Sequence, residues 1–106
     1  MARNEGLGMH SKRIRLRFLS TIKELVEKNY ESLEVDARAT VEDLLRQLLT
    51  RYNNNVVNLV FQEDKKSIRN DILILVNDVD INALDGLETL LSENDDVALM
   101  PIAHGG

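Results

Sequence analysis

Cysteine is absent from the 106-residue chain. Disulfides, thiolate metal sites and cysteine nucleophiles are therefore excluded, and any sulfur chemistry must run through another group. The absence is also compatible with a reducing cytosol. Long apolar runs are missing too: nothing approaches the roughly 20 residues of a spanning helix, and residues 1–12 lack the apolar middle of a signal peptide. These absences point to a soluble cytoplasmic protein without membrane contact. There is no surplus of positive charge, since 13 Lys and Arg face 18 Asp and Glu for a net charge of -5. That balance disfavours nucleic-acid phosphates and anionic lipid as partners. No nucleophile, base and orienting group come together, so independent catalysis is not expected. The two histidines, His10 and His104, have no companion ligands for a metal.

What is present is enough for one modest core: 43% hydrophobic and 29% charged residues in a chain of single-domain length. Residues 1–12 carry two glycines and no apolar periodicity, and read as a flexible leader in which Met9 is a second candidate start. From Arg13 to Phe18 the sequence alternates, predicting a first strand with Ile14, Leu16 and Phe18 on one face and Arg13, Arg15 and Arg17 on the other. A short helical excursion over 20–29 leads to a second strand around Leu33 and Val35. The strongest helix signal starts at Thr40, an N-cap with Asp43 three residues on. Val41, Leu44, Leu45, Leu48, Leu49 and Tyr52 then follow at helical spacing.

Asn53 to Asn55 ends that helix, and Val56 to Phe61 has the makings of another short one. Ile72 to Val76 is continuously apolar, which predicts a central strand buried on both faces. Asn77-Asp78 supplies turn chemistry, Val79 to Ile81 a short return strand, and Asp85-Gly86 a further turn. Val97 to Met100 is the last strand, ended by Pro101, the only proline. Residues 102–106 are expected to project as a tail with nothing to pair with. One main helix within a strand-rich chain predicts an α+β domain over 13–101. Asp71 to Asp96 holds eight acidic residues and no Lys or Arg, predicting a negative body near the tail.

Several of these segments resemble the MoaD/ThiS family of ubiquitin-like sulfur carriers, which includes archaeal small modifier proteins. The likeness lies in Ile14-Arg-Leu-Arg-Phe-Leu-Ser-Thr-Ile-Lys-Glu-Leu25, Ala39-Thr-Val-Glu-Asp-Leu-Leu45, Leu75-Val-Asn77, Leu84-Asp-Gly-Leu-Glu-Thr-Leu90, Asn94-Asp-Asp-Val-Ala-Leu-Met-Pro101 and the closing Gly105-Gly106. Their order and spacing match together. The resemblance implies a β-grasp fold: a mixed sheet packed on one main helix. It departs in the tail, which reads Pro101-Ile-Ala-His-Gly-Gly106 where small subunits of molybdopterin synthase typically read Pro-Pro-Val-Ala-Gly-Gly.

The resemblance also implies a function. Gly106 is the residue activated as an acyl-adenylate and converted to a thiocarboxylate, as in the small subunit of molybdopterin synthase or a close relative. The alternative is a modifier conjugated through Gly106 to lysines of target proteins, and the third reading is an interaction module with an inert tail. Gly105 would give the tail access to a narrow site, because glycine has no Cβ to clash there. At about 7% glycine usage, two terminal glycines occur by chance in roughly 0.5% of chains, which favours a functional reading of the pair. Met100, Ile81, His104 and Ile102 are the candidate partner contacts. The partners implied are a ubiquitin-activating-type adenylating enzyme, which would use the ATP, and the large subunit of molybdopterin synthase or target lysines. No cofactor is expected to be bound by the chain itself.

Overall fold

The computed structural model describes residues 11–102. Five strands form one mixed sheet: β1 (Ser11–Phe18), β2 (Tyr30–Asp36), β3 (Ile72–Val76), β4 (Val79–Asp80) and β5 (Asp96–Pro101), in the order β2-β1-β5-β3-β4. β5 runs parallel to β1 and antiparallel to β3, and the outer pairs are antiparallel. The helices are α1 (Thr21–Val26), α2 (Val41–Arg46), α3 (Leu48–Arg51) and α4 (Asn54–Val60). This is the β-grasp arrangement, with the core between the sheet and the helical layer.

Register explains the two faces. Leu16 lies beside Val97, Phe18 beside Leu99, and Ile74 and Val76 opposite Leu99 and Val97, so all of them face the helices. Val41, Leu44, Leu45 and Leu48 meet them there, fully buried. The main helix is interrupted at Gln47, which separates α2 from α3, and Leu49 and Tyr52 beyond the interruption pack against the core. Tyr52 closes one end, edge-on to Phe18 at 5.9 Å, with its hydroxyl donating to Glu31. Burial, and then that carboxylate, raises the Tyr52 hydroxyl well above the usual tyrosine value.

Thr40 builds the expected capping box: the Asp43 N–H donates to Thr40 Oγ1 at 3.2 Å and the Thr40 N–H to Asp43 Oδ2 at 2.9 Å. Thr40→Ala is expected to cost about 1 kcal/mol, read as a lower urea midpoint at unchanged slope. A loss below about 0.3 kcal/mol would mean that the neighbouring bridge to Leu90 fixes the helix start without the side chain.

Three expectations change. β1 begins at Ser11, two residues into the expected leader, because Ser11 and Lys12 pair with Asp36 and Val35. The apolar run Ile72–Val76 is not the centre of the sheet; β5 is. β3 alternates between buried and half-buried residues, and its run is unbroken because Leu73 and Leu75 cover the outer face. The tail is not released at Pro101, since the Ile102 N–H donates to Asp71 O at 3.0 Å and extends the ladder one residue. No helix among the described residues is long and apolar enough to cross a membrane.

Candidate functional site: the end of the central strand

The site is built where β5 leaves the sheet. Parallel pairing with β1 and antiparallel pairing with β3 grip this strand on both sides, so its direction is fixed by two ladders. Loop contacts secure both ends. Asn77 accepts the Asp96 N–H at 3.0 Å and donates to Asp95 at 2.8 Å, while the Leu19 N–H donates to Leu99 O at 3.0 Å. Asn77 and Asp78 have φ of 51° and 69°, the two positive values that a tight two-residue hairpin requires. The chain is therefore delivered to Ile102 in a defined position and direction.

Beside this exit lies the sheet face turned away from the helices. Leu73 is opposite Met100, and Leu75 opposite Ala98, giving an apolar patch at the tail base. Ala98 is 1% exposed yet stands apart from the main core, sunk between Arg17 and Leu75 on the outer face. Arg17 borders the patch, bridging Asp96 at 3.1 Å and Asp78 at 3.2 Å. Its hydrogen bond to Asp96 raises an already high guanidinium pKa, so the side chain stays charged. Arg15 lies over the Tyr30 ring at 4.6 Å, and Arg13 pairs with Glu34. The arginine stripe is thus interleaved with acids and an aromatic ring.

The expected contact residues divide. Met100 is half-buried on the outer face and Ile102 is 48% exposed beside the exit, both open to solvent at least in part. Ile81 is not: at 6% exposure it belongs to the core. The strand ends at Asp80, whose carboxylate accepts the Asn82 N–H at 2.8 Å, and the resulting 3-10 turn rolls Ile81 inward. His104, Gly105 and Gly106 lie outside the described residues, as does His10. Leu73 and Leu75 were not expected on the outer face because an unbroken apolar run reads as core; the signal available was the odd-even register against Met100 and Ala98.

Part of the acidic stretch is consumed in the fold: Asp71 holds Arg69 through two bonds of 2.8 and 2.7 Å, and Asp78 and Asp96 hold Arg17. Asp80, Asp85 and Glu88 keep no cation partner among the described residues. Those residues also contain no group of three His, Cys, Asp or Glu side chains able to hold a metal.

Known proteins share this architecture. The model of the ThiS family matches residues 16–106. The chain is 33% identical to small archaeal modifier protein 3 of Haloferax volcanii, over 88% of this chain and 98% of that one. It is 31% identical to a ubiquitin-related modifier 1 homolog of Drosophila willistoni, covering 76% and 79% of the two chains. The solution structure of small archaeal modifier protein 1 from Methanosarcina acetivorans superposes with a TM-score of 0.76 at 27% identity, covering 92% of this chain and 99% of that one. The β-grasp sheet, the family match over residues 16–106 and these likenesses together show that the chain belongs to the ThiS family.

Proposed function

We propose that the chain is a sulfur carrier whose Gly106 carboxylate is activated by a separate, ubiquitin-activating-type adenylating enzyme. The observation that carries this reading is the delivery of the central strand to Ile102, four residues before Gly106, beside a half-buried apolar patch on the outer face. Four extended residues span at most about 14 Å, enough to thread a terminal glycine into a partner's active site while the folded body stays outside. A carboxylate is ionised at neutral pH, with a reference pKa of about 3.3–3.7, and is a poor electrophile. Its oxygen attacks the α-phosphorus of ATP and pyrophosphate leaves. A hydrosulfide nucleophile then attacks the acyl carbon, AMP departs with its oxygen, and a thiocarboxylate remains. With no cysteine in the chain, the thiocarboxylate is the natural place for it to hold labile sulfur.

A second reading, protein modification, is favoured by the names of the relatives above, which are modifiers. It shares the adenylate and differs only in the nucleophile: a lysine amine displaces the activated oxygen and leaves an isopeptide bond. Mass spectrometry of protein from its own host separates the two, because sulfur exchange at the C-terminal carboxylate marks the carrier and branched Gly-Gly adducts mark the modifier. Finding neither overturns both.

Deleting Gly106 is expected to abolish ATP-dependent adenylation by the cognate enzyme while the unfolding midpoint stays unchanged. Persistent pyrophosphate release with the shortened chain would overturn the assignment. Delivery to the large subunit of a molybdopterin synthase is one destination within the carrier reading.

A further inference from the structure

Three arginines stand on the outer face of β1, and two of them carry their own acids. Arg13 is met by Glu34 across the ladder to β2, and Arg17 by Asp96 and Asp78. Arg15 is the exception. Its cross-strand partner on β2 is Ser32, in an outer-face series that reads Tyr30, Ser32, Glu34, Asp36, and its neighbour on β5 is Asp96, whose carboxylate is engaged by Arg17. No carboxylate among the described residues pairs with Arg15. Its one contact is the Tyr30 ring at 4.6 Å, which holds the guanidinium in place while leaving it without a hydrogen-bond acceptor.

This unpaired charge opens onto a niche of about 270 Å³ lined by Arg13, Arg15, Ser32 and Asn94. Main-chain bonds fix its walls: the Asn94 N–H donates to Arg13 O at 2.8 Å and the Arg15 N–H to Asp95 O at 3.0 Å, seating the 92–95 turn against β1. All four lining side chains are hydrogen-bond donors. The Ser32 hydroxyl and the Asn94 amide have no partner among the described residues, and Arg13 meets Glu34 only at 3.4 Å, with both side chains more than half exposed. The local charge selects the guest. Glu34, and Glu93 which accepts the Arg13 N–H at 3.1 Å, flank the Arg13 side and oppose a phosphate dianion, whereas one carboxylate balances Arg15. The volume is below the roughly 300–1,000 Å³ of small-molecule sites and suits the end of a single side chain.

We infer that the niche receives an aspartate or glutamate side chain of the adenylating enzyme, with Arg15 as its charge partner and Ser32 and Asn94 as further donors. This rests on the carrier reading and specifies what the enzyme's docking surface must contain. Arg15 lies beside Asp96 in the parallel ladder, and Met100 follows four residues along β5 on the same outer face, about 13 Å away at roughly 3.3 Å per residue. A standard interface covers about 800 Å² on each partner, roughly 30 Å across, so one docked surface reaches both the niche and the Leu73–Met100 pair. A guanidinium already held by Tyr30 loses little freedom on binding, and its planar fork matches a carboxylate. The enzyme therefore presents a carboxylate about 13 Å from the apolar group that covers Met100.

Steady-state adenylation of the full chain by the cognate enzyme tests this. Arg15→Glu is expected to raise KM at least tenfold with kcat unchanged, and Arg15→Lys, which keeps the charge and loses the fork, about threefold. Lys66→Glu makes the same charge change at an exposed residue between α4 and β3, and should move KM less than twofold. Carbodiimide coupling of the Arg15→Lys variant to the enzyme should join residue 15 to an enzyme aspartate or glutamate, identified by peptide mass spectrometry. An unchanged KM for Arg15→Glu, an equal effect of Lys66→Glu, or coupling that bypasses residue 15 would each overturn this inference and leave the carrier reading standing. No adenylation of the unaltered chain would instead overturn the carrier reading, and the inference with it.

Discussion

Phe18→Ala should remove about 3–5 kcal/mol of stability, against the 5–15 kcal/mol typical of a small domain. Phe18 is fully buried at the end of β1, beside Leu99 in the parallel ladder and edge-on to Tyr52. Truncation leaves a cavity lined by elements that cannot close on it. β1 and β5 are locked by their ladders, and the Phe18 N–H is itself held by Asn29 O at 2.8 Å. Tyr52 is tied to Glu31 and cannot swing into the space without giving up that bond. The loss should appear in urea unfolding as a lower midpoint with little change in slope. Adenylation at Gly106 should fall with the folded fraction and recover where folding is restored by stabilising solutes. A loss below about 1.5 kcal/mol would show that the site collapses far more easily than its two ladders suggest.

The parts of this molecule that were legible in the sequence are those where one periodicity decides the environment. Ile14, Leu16 and Phe18 alternate with three arginines, and the structure puts every one of the three apolar residues in the core. Thr40 and Asp43 announced the main helix, and the box forms as chemistry dictates. The errors came where pattern and environment separate. Ile72–Val76 is apolar at every position, yet only its even-numbered residues are core; Leu73 and Leu75 serve an outer face that water shares with Met100. Apolar character alone cannot distinguish a core position from a half-buried one on the outer face. Ile81 failed in the opposite sense, because the Asp80 cap that turns it inward is a local hydrogen bond that alternation does not reveal. The bond from Ile102 to Asp71 was likewise invisible, since a residue after proline reads as a chain end until its ladder partner is known.

Met100→Glu should leave the fold nearly intact and cripple activation. The side chain is half-buried on the outer face, so the substitution stays within the small stability range of surface changes, about 0.5–1 kcal/mol. Docking against an adenylating enzyme is a different environment, because it would seal the Leu73–Met100 pair from water. A carboxylate forced into that apolar contact must be desolvated without a partner. A penalty of about 2–3 kcal/mol corresponds to roughly a 30- to 150-fold fall in kcat/KM. The loss should sit in KM, with kcat preserved at saturation, since the tail and Gly106 are untouched and only body binding is weakened. Leu25→Glu is the matched control. Leu25 is 47% exposed on α1, and the same charge there should leave KM unchanged. Equal effects of the two substitutions would remove the outer face from the docking surface. A fall in kcat with unchanged KM would place Met100 at the tail's own passage into the active site, not at the body contact.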